Sequence, residues 1–232
     1  MPEKKTERRT APRREIKLSV KIALAALAVL LLVLAGFRVV HWTSQREEAR
    51  VLVLVNPWND VKASSFKPRP KTVEGIQVDR SCVSDLEEML AECRAAGVTI
   101  TLTAGYRTAD EQLRMFQNEV DRQIQNGMKA DRAYAIAEQR LGNAGTSEHE
   151  LGLAIDVQGA AAQSWLKDNA WRFGFILRYP EGSESITGRS ADSGHFRYVG
   201  RSAAEQIYSL DITLEEYMGM FYTQDSEIVL DR

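Results

Sequence analysis

Sixteen uninterrupted apolar residues, "IALAALAVLLLVLAGF" at 22–37, divide this chain before any other feature is weighed. With Leu18 to Lys21 before them and Arg38 to Val40 after, the stretch approaches the ~20 residues that a helix needs to cross a bilayer. The residues ahead of it carry eight Lys and Arg against three Glu, and such a flank stays on the cytoplasmic side. Trp42 just beyond suits the membrane interface. A cleaved signal peptide is the rival reading, with "VLA" ending at Ala35 as a small-residue cleavage site. The apolar core exceeds the ~7–15 residues usual for such a leader and the basic segment is long, which favours an uncleaved anchor. The expected organisation is a basic tail at 1–17, a transmembrane helix at 18–40, a stalk at 41–50 and an extracytoplasmic domain at 51–232.

The exported part is large enough for one domain with a sizeable core. Taking nine Lys and Arg and three Glu of residues 1–40 from the chain's 30 and 32 leaves 21 basic and 29 acidic side chains, a net charge near −8. That charge argues against nucleic acid as a partner. Cys82 and Cys93 invite a disulfide in an oxidising compartment. However, "SCVSDLEEMLAECRAAG" reads as one helix, with Val83, Leu86, Met89 and Leu90 at helical spacing. Eleven residues of helix rise about 16 Å, beyond the ~7 Å limit on Cα separation for a bridge. Both cysteines are therefore expected to be free core residues.

Along the domain, "VLVLVN" (51–56) reads as a buried strand and residues 57–75 as a loop holding three of the six prolines. "VTITLTAGYR" (98–107) is β-branched and strand-like. Thr108 stands three before Glu111, a capping box that opens a helix running to about Asn126. Helices are expected at 130–142, 161–175 and 213–221, and strands in "LAIDVQ", "ILRY" and "HFRYV". Helices beside a small antiparallel sheet make the fold class α+β.

The chemistry gathers around "TSEHELGLAIDV" (146–157). Alternate residues of a strand share a face, so Leu153, Ile155 and Val157 point one way and Asp156 the other. In "HFRYV", Phe196 and Tyr198 suit the core, which leaves His195 and Arg197 opposite. Pairing of the two strands would bring Asp156 to His195, with His149 reaching in from the preceding loop. Two imidazoles and a carboxylate are the three-ligand set of a catalytic zinc. Spacing alone leaves a second reading open, ordinary sequence around a strand.

"TAGYRTADEQ", "GTSEHELGLAIDV", "FGFILRYPEG…ITG" and "HFRYVG", in that order, resemble the VanY-type zinc D,D-carboxypeptidases of bacterial walls, a family that includes L,D-carboxypeptidases. The similarity runs from residue 52 to 217, and the family pattern Ser-x-His-x6-Asp is met by Ser147, His149 and Asp156. The resemblance implies one zinc per chain held by His149, Asp156 and His195. It implies that Arg107 contacts substrate near the scissile bond, and that Ser147, Gln112 and Tyr106 bind substrate. It also implies a monomer acting on peptidoglycan stem peptides at the outer face of a bacterial cell membrane, with a C-terminal D-alanine as the group removed.

One departure falls on the chemistry. Relatives carry Glu-Pro-Trp-His, the Glu serving as general base, where this chain has Asp192-Ser193-Gly194-His195. Aspartate is one methylene shorter, and misplacement of around 1 Å can cost on the order of 100-fold in rate. Asp192 is the expected base, with Glu181 and Glu184 next in line. Two alternatives stay open beside the carboxypeptidase: an endopeptidase on the same fold, and a non-catalytic zinc-containing wall-binding module. Arg178 and Arg197 are expected to serve structure.

Overall fold

The computed structural model of the chain describes residues 26–27, 29–36, 38, 47 and 49–221. Residues 1–45 and 46–232 form two separate units. In the first, residues 29–36 are helical, and Leu30, Leu31, Leu32, Val33 and Leu34 are exposed. The expected span at 18–40 falls largely outside the described residues, and no helix among those described is long and apolar enough to cross a membrane.

The second unit is a mixed α/β domain. After a 3-10 turn at Val61–Ala63, its first strands form a hairpin of β1 (Pro70–Val73) and β2 (Ile76–Asp79), paired antiparallel with Val73 opposite Ile76. Glu74 and Gly75 both take positive φ, 46° and 87°, as a two-residue turn between right-twisted strands requires. This hairpin lies where a continuous loop is expected up to residue 75. Three of the four β1 residues are exposed, so the hydrophobic alternation that marks a strand is missing from the sequence.

Helix α1 (Val83–Ala95) follows a 3-10 turn at Arg80–Cys82. Leu86, Met89, Leu90 and Cys93 are buried, and both cysteines are free. Strand β3 (Thr101–Ala104) leads to α2 (Ala109–Gln125), which opens on the expected box. The Thr108 hydroxyl accepts from Glu111 N, and the Glu111 carboxylate accepts from Thr108 N at 2.8 Å. Next come α3 (Ala130–Arg140), β4 (Ala154–Gln158), α4 (Ala160–Asn169) and β5 (Phe175–Tyr179). The helix expected up to residue 175 gives way at Asn169 to a 3-10 turn, Ala170–Phe173. The short α5 (Glu184–Thr187), β6 (Asp192–Tyr198), α6 (Arg201–Leu210) and α7 (Leu214–Phe221) complete the domain.

Four strands form one antiparallel sheet in the order β3-β4-β6-β5. Ile155 and Phe196 on its core side pack with Leu86 and Met89 of α1 and Leu166 of α4. Residues 52–55, expected as a strand, pair with no sheet. Val51 and Val55 are buried, and the carbonyls of Val51 and Val53 instead accept from the Arg197 guanidinium, each at 2.9 Å. That segment is tied to the sheet through a side chain.

Candidate metal centre and its cavity

The centre of the sheet fixes the first pair. β4 and β6 are in register with Asp156 opposite His195, so period-two alternation carries both side chains to the same face. His195 Nδ1 lies 2.8 Å from Asp156 Oδ1. His149 enters from a 3-10 turn, Glu148–Leu151, that ends at Gly152 with φ 69°. A side chain at residue 152 would face both a left-handed backbone and the Asp79 amide 3.0 Å away, so glycine is what lets the turn deliver His149 directly before β4.

His149 Nδ1 sits 2.7 Å from the carbonyl of Gly105. A carbonyl only accepts, so Nδ1 carries the proton and Nε2 keeps its lone pair, 3.3 Å from Asp156 Oδ1. The two imidazoles meet edge to face at 5.0 Å. One ligand atom from each of His149, Asp156 and His195 lies within 4.8 Å of the others. Tetrahedral zinc with bonds of ~2.0–2.1 Å spaces its ligand atoms by about 3.3 Å. The observed 3.3 and 2.8 Å are close to that, and the N, N, O donor set is one zinc accepts. The residues fit the metal.

The electrostatics suit a cation. Burial pushes the Asp156 carboxyl up, but the adjoining His149 and His195 rings together hold it far below the usual range. Burial holds His149 below its ordinary value against the pull of Asp156. It also opposes protonation of His195, yet the hydrogen bond to Asp156 and the neighbouring carboxylate of Glu148 win and push that ring up to about 9.

A cavity of about 370 Å³ opens over these three residues. Arg107, Ser147 and Asp192 line it, as do Arg140, Tyr179 and Arg189. Arg107 is largely buried, donating from Nη1 to Gln112 Oε1 at 2.8 Å and from Nη2 to Asp156 Oδ2 at 3.4 Å. Asp192 is exposed, and its Oδ1 accepts from the Gly194 amide at 2.8 Å, which sets the direction of the carboxylate. Glu181 and Glu184 are exposed and stand off the wall.

Two residues expected on the wall are elsewhere. Gln112 is fully buried, its amide nitrogen donating to the carbonyls of Leu141 and Gly142, so it braces Arg107 from behind. Tyr106 pairs its backbone N–H with Gln77 O and lays its ring over Gly152. The residues that sequence reasoning missed are Glu148, Arg140, Arg189 and Tyr179. Glu148 is ion-paired to Arg178 and Arg197 at 2.8 and 2.9 Å with all three side chains buried. Tyr179 stacks on the His195 ring at 4.9 Å. Arg189 donates to Thr146 O at 2.6 Å and so pins the turn ahead of His149. The only available signal for Glu148 was its place beside His149.

Residues 75–201 match the VanY family model, described as D-alanyl-D-alanine carboxypeptidase. The chain is 36% identical over 179 residues to a D-alanyl-D-alanine carboxypeptidase of Enterococcus faecalis, covering 74% of this chain and 67% of that protein. A solved vancomycin-resistance D,D-pentapeptidase VanY in complex with Zn(II) superposes with a TM-score of 0.69 at 36% identity, over 73% of this chain and 99% of that one. VanYB in complex with D-alanine-D-alanine gives 0.70 at 35% identity, over 74% and 98%.

Proposed function

Because the chain belongs to the VanY family of peptidases, we propose that it is a zinc carboxypeptidase removing the C-terminal D-alanine from peptidoglycan stem peptides. The observation that carries this reading is the convergence of His149, Asp156 and His195 under a cavity that also holds Arg107 and Asp192. His149, Asp156 and His195 hold the metal. Bound there, zinc supplies a Lewis acid for the peptide carbonyl and brings the pKa of its water towards ~7.

The rest is the work of this chain's own groups. Asp192 takes the proton from the attacking water and passes it to the leaving amine. Its freedom to do so is limited to the carboxylate oxygen that Gly194 does not hold. Arg107, buried and braced by Gln112, keeps a fixed cation beside the reacting carbonyl, suited to a developing oxyanion or a terminal carboxylate. Ser147, 5% exposed on the wall and without a capping hydrogen bond, has its hydroxyl available to substrate.

The test is release of D-alanine by the purified full-length protein, from pentapeptide ending in D-Ala-D-Ala and from tetrapeptide ending in one D-alanine. Chelation should abolish release, and amidation of the terminal D-alanine should lower turnover at least ~100-fold, because a group built to pair a carboxylate is left unpaired. Absence of D-alanine from both peptides, or cutting at an internal bond, would overturn the reading. The apolar run at 22–37 and its basic flank support placement of this activity outside the cytoplasmic membrane, the chain anchored by one helix. Protease added to intact cells should then digest the domain and spare the basic tail; a mature protein beginning at Gly36 would mean secretion instead.

A further inference from the structure

We infer that Glu148 is a positioning residue that fixes the His195 ring, holding Nε2–H so that Nδ1 is the nitrogen offered to the metal. This rests on the metal site proposed above.

Three buried polar atoms around this carboxylate lack a hydrogen-bond partner: His195 Nε2, Glu148 Oε2 and Arg197 Nη1. The first two form the donor–acceptor pair. They face each other at 3.5 Å. A buried donor and a buried acceptor left unmade are each costly, and a shift of a few tenths of an ångström joins them. The carboxylate cannot be the member that moves. Its Oε1 accepts from Arg178 Nε at 2.8 Å and is ion-paired to Arg197 Nη1 at 2.9 Å. Arg178 is in turn clamped by both oxygens of Glu215, at 2.8 and 2.6 Å. Arg197 is held by the carbonyls of Tyr198, Val51 and Val53. Glu148 is therefore a fixed acceptor, and the ring orients to it.

The consequence is a tautomer. The two arginine charges beside Glu148 keep it ionised, and an ionised carboxylate only accepts, so Nε2 must donate. Nδ1, 2.8 Å from Asp156 Oδ1 on the cavity side, then carries the proton that a metal ion would displace, and its lone pair becomes the one offered while Nε2–H stays. His149 is set the opposite way, its Nδ1–H spent on Gly105 O and its Nε2 turned inward. A buried partner behind a metal-bound imidazole fixes both orientation and basicity, and its loss typically costs 10–100-fold in metal affinity. Tyr179, stacked on the same ring, limits its rotation about the remaining axis.

The test is Glu148→Gln in the full-length protein. The arginines claim the amide oxygen, so the NH2 group faces His195 Nε2 and demands an acceptor there; the proton moves to Nδ1 and blocks the metal lone pair. Zinc affinity, read by competition with a chelating dye, should fall 10–100-fold, and Glu148→Asp should restore part of it. Because Glu148→Gln strips charge from two buried arginines and can fail to fold, the wild-type protein supplies a second readout. With 15N-labelled histidine, the zinc-loaded protein should show His195 with a slowly exchanging Nε2–H and His149 with Nδ1–H. A zinc-loaded His195 ring protonated on Nδ1, or a folded Glu148→Gln protein with unchanged affinity, would overturn the inference. If the wild-type chain takes up no zinc, the metal reading fails instead. The protected Nε2–H in the metal-free protein then decides the Glu148 contact by itself, its absence counting against us.

Discussion

Replacing Arg178 by Met should cost the domain about 3–5 kcal/mol, the range expected when one partner of a buried ion pair is removed and the other is left behind. Arg178 is 1% exposed and makes three charged hydrogen bonds, one to Glu148 Oε1 and a two-pronged pair to Glu215. Its removal leaves Glu148 sealed from water with Arg197 alone, and frees Glu215 from its fork. Arg201 makes a useful control, since it too bridges two carboxylates, Asp85 at 2.7 Å and Glu88 at 2.5 Å, but stands 45% exposed. Water screens that cluster, so Arg201→Met should cost no more than about 1 kcal/mol. Urea unfolding of the metal-free proteins gives both numbers, with metal removed so that its binding does not add to apparent stability. Against a total of about 5–15 kcal/mol, the Arg178 loss would move the midpoint far. If Arg178→Met costs under about 1 kcal/mol, or no more than Arg201→Met, the buried network is not what holds the floor of the site.

Asp192→Asn keeps the side-chain shape and the Gly194 hydrogen bond but cannot accept a proton; it should bind zinc normally and lose roughly 100-fold or more in kcat, and wild-type turnover would move the base elsewhere. Elemental analysis should find about one zinc per chain, with most of it lost in His149→Ala or Asp156→Ala; full retention by both would refute the ligand set. Asp79 gives the pH prediction. Burial pushes its carboxyl up, but hydrogen bonds from Ser81 and Arg69 and the charge of Arg50 together hold it below its ordinary value. A depressed carboxylate stabilises fully above its unfolded pKa of ~3.9 and loses that contribution as pH falls through the folded value. The stability gap between wild type and Asp79→Asn should therefore be constant near neutrality and shrink below about pH 4; a gap unchanged down to pH 3 would count against it.

What the sequence revealed was whatever rested on local spacing. Asp156 and His195 could be paired because each strand alternates cleanly, which puts Asp156 on one strand and His195 with Arg197 on the other on the face opposite the apolar residues. The box at Thr108 and Glu111 is likewise a three-residue signal, and it marked the start of α2 correctly. Residues 51–56 misled because apolar β-branched residues suit any buried extended segment, and the partner that satisfies their carbonyls, Arg197, lies more than 140 positions away. Glu148 stayed hidden for the same reason, since its arginines follow at 178 and 197 with no periodicity to announce them. Gln112 was expected to bind substrate on the resemblance alone, yet the fold spends its amide on two main-chain carbonyls. Long-range satisfaction of buried polar groups decided these cases, and one-dimensional patterns do not encode it.

The departure at residues 192–194 makes physical sense only as a unit. A side chain at residue 194 would put its Cβ 2.7 Å from Val157 O and 2.9 Å from Gln163 Nε2, so neither Trp nor Ala fits while β4 and α4 stay in place. Gln163 occupies the gap, donating to Val157 O at 2.9 Å and accepting from the Ser193 hydroxyl at 3.1 Å. The glycine amide, unencumbered by a side chain, closes the turn onto Asp192 Oδ1. The backbone path and the shorter acid are therefore matched to each other. Asp192→Glu should consequently be slower than wild type, although it restores the residue found in relatives. The added methylene moves the carboxylate by ~1 Å inside a turn built for Asp, and errors of that size cost up to about 100-fold. The measurement is kcat with zinc content checked in parallel, since lost metal would mimic lost chemistry. A Glu variant as fast as wild type or faster would show that the turn does not set the reach of the base, and that the Asp-Ser-Gly segment is a tolerated drift rather than an adapted part of the site.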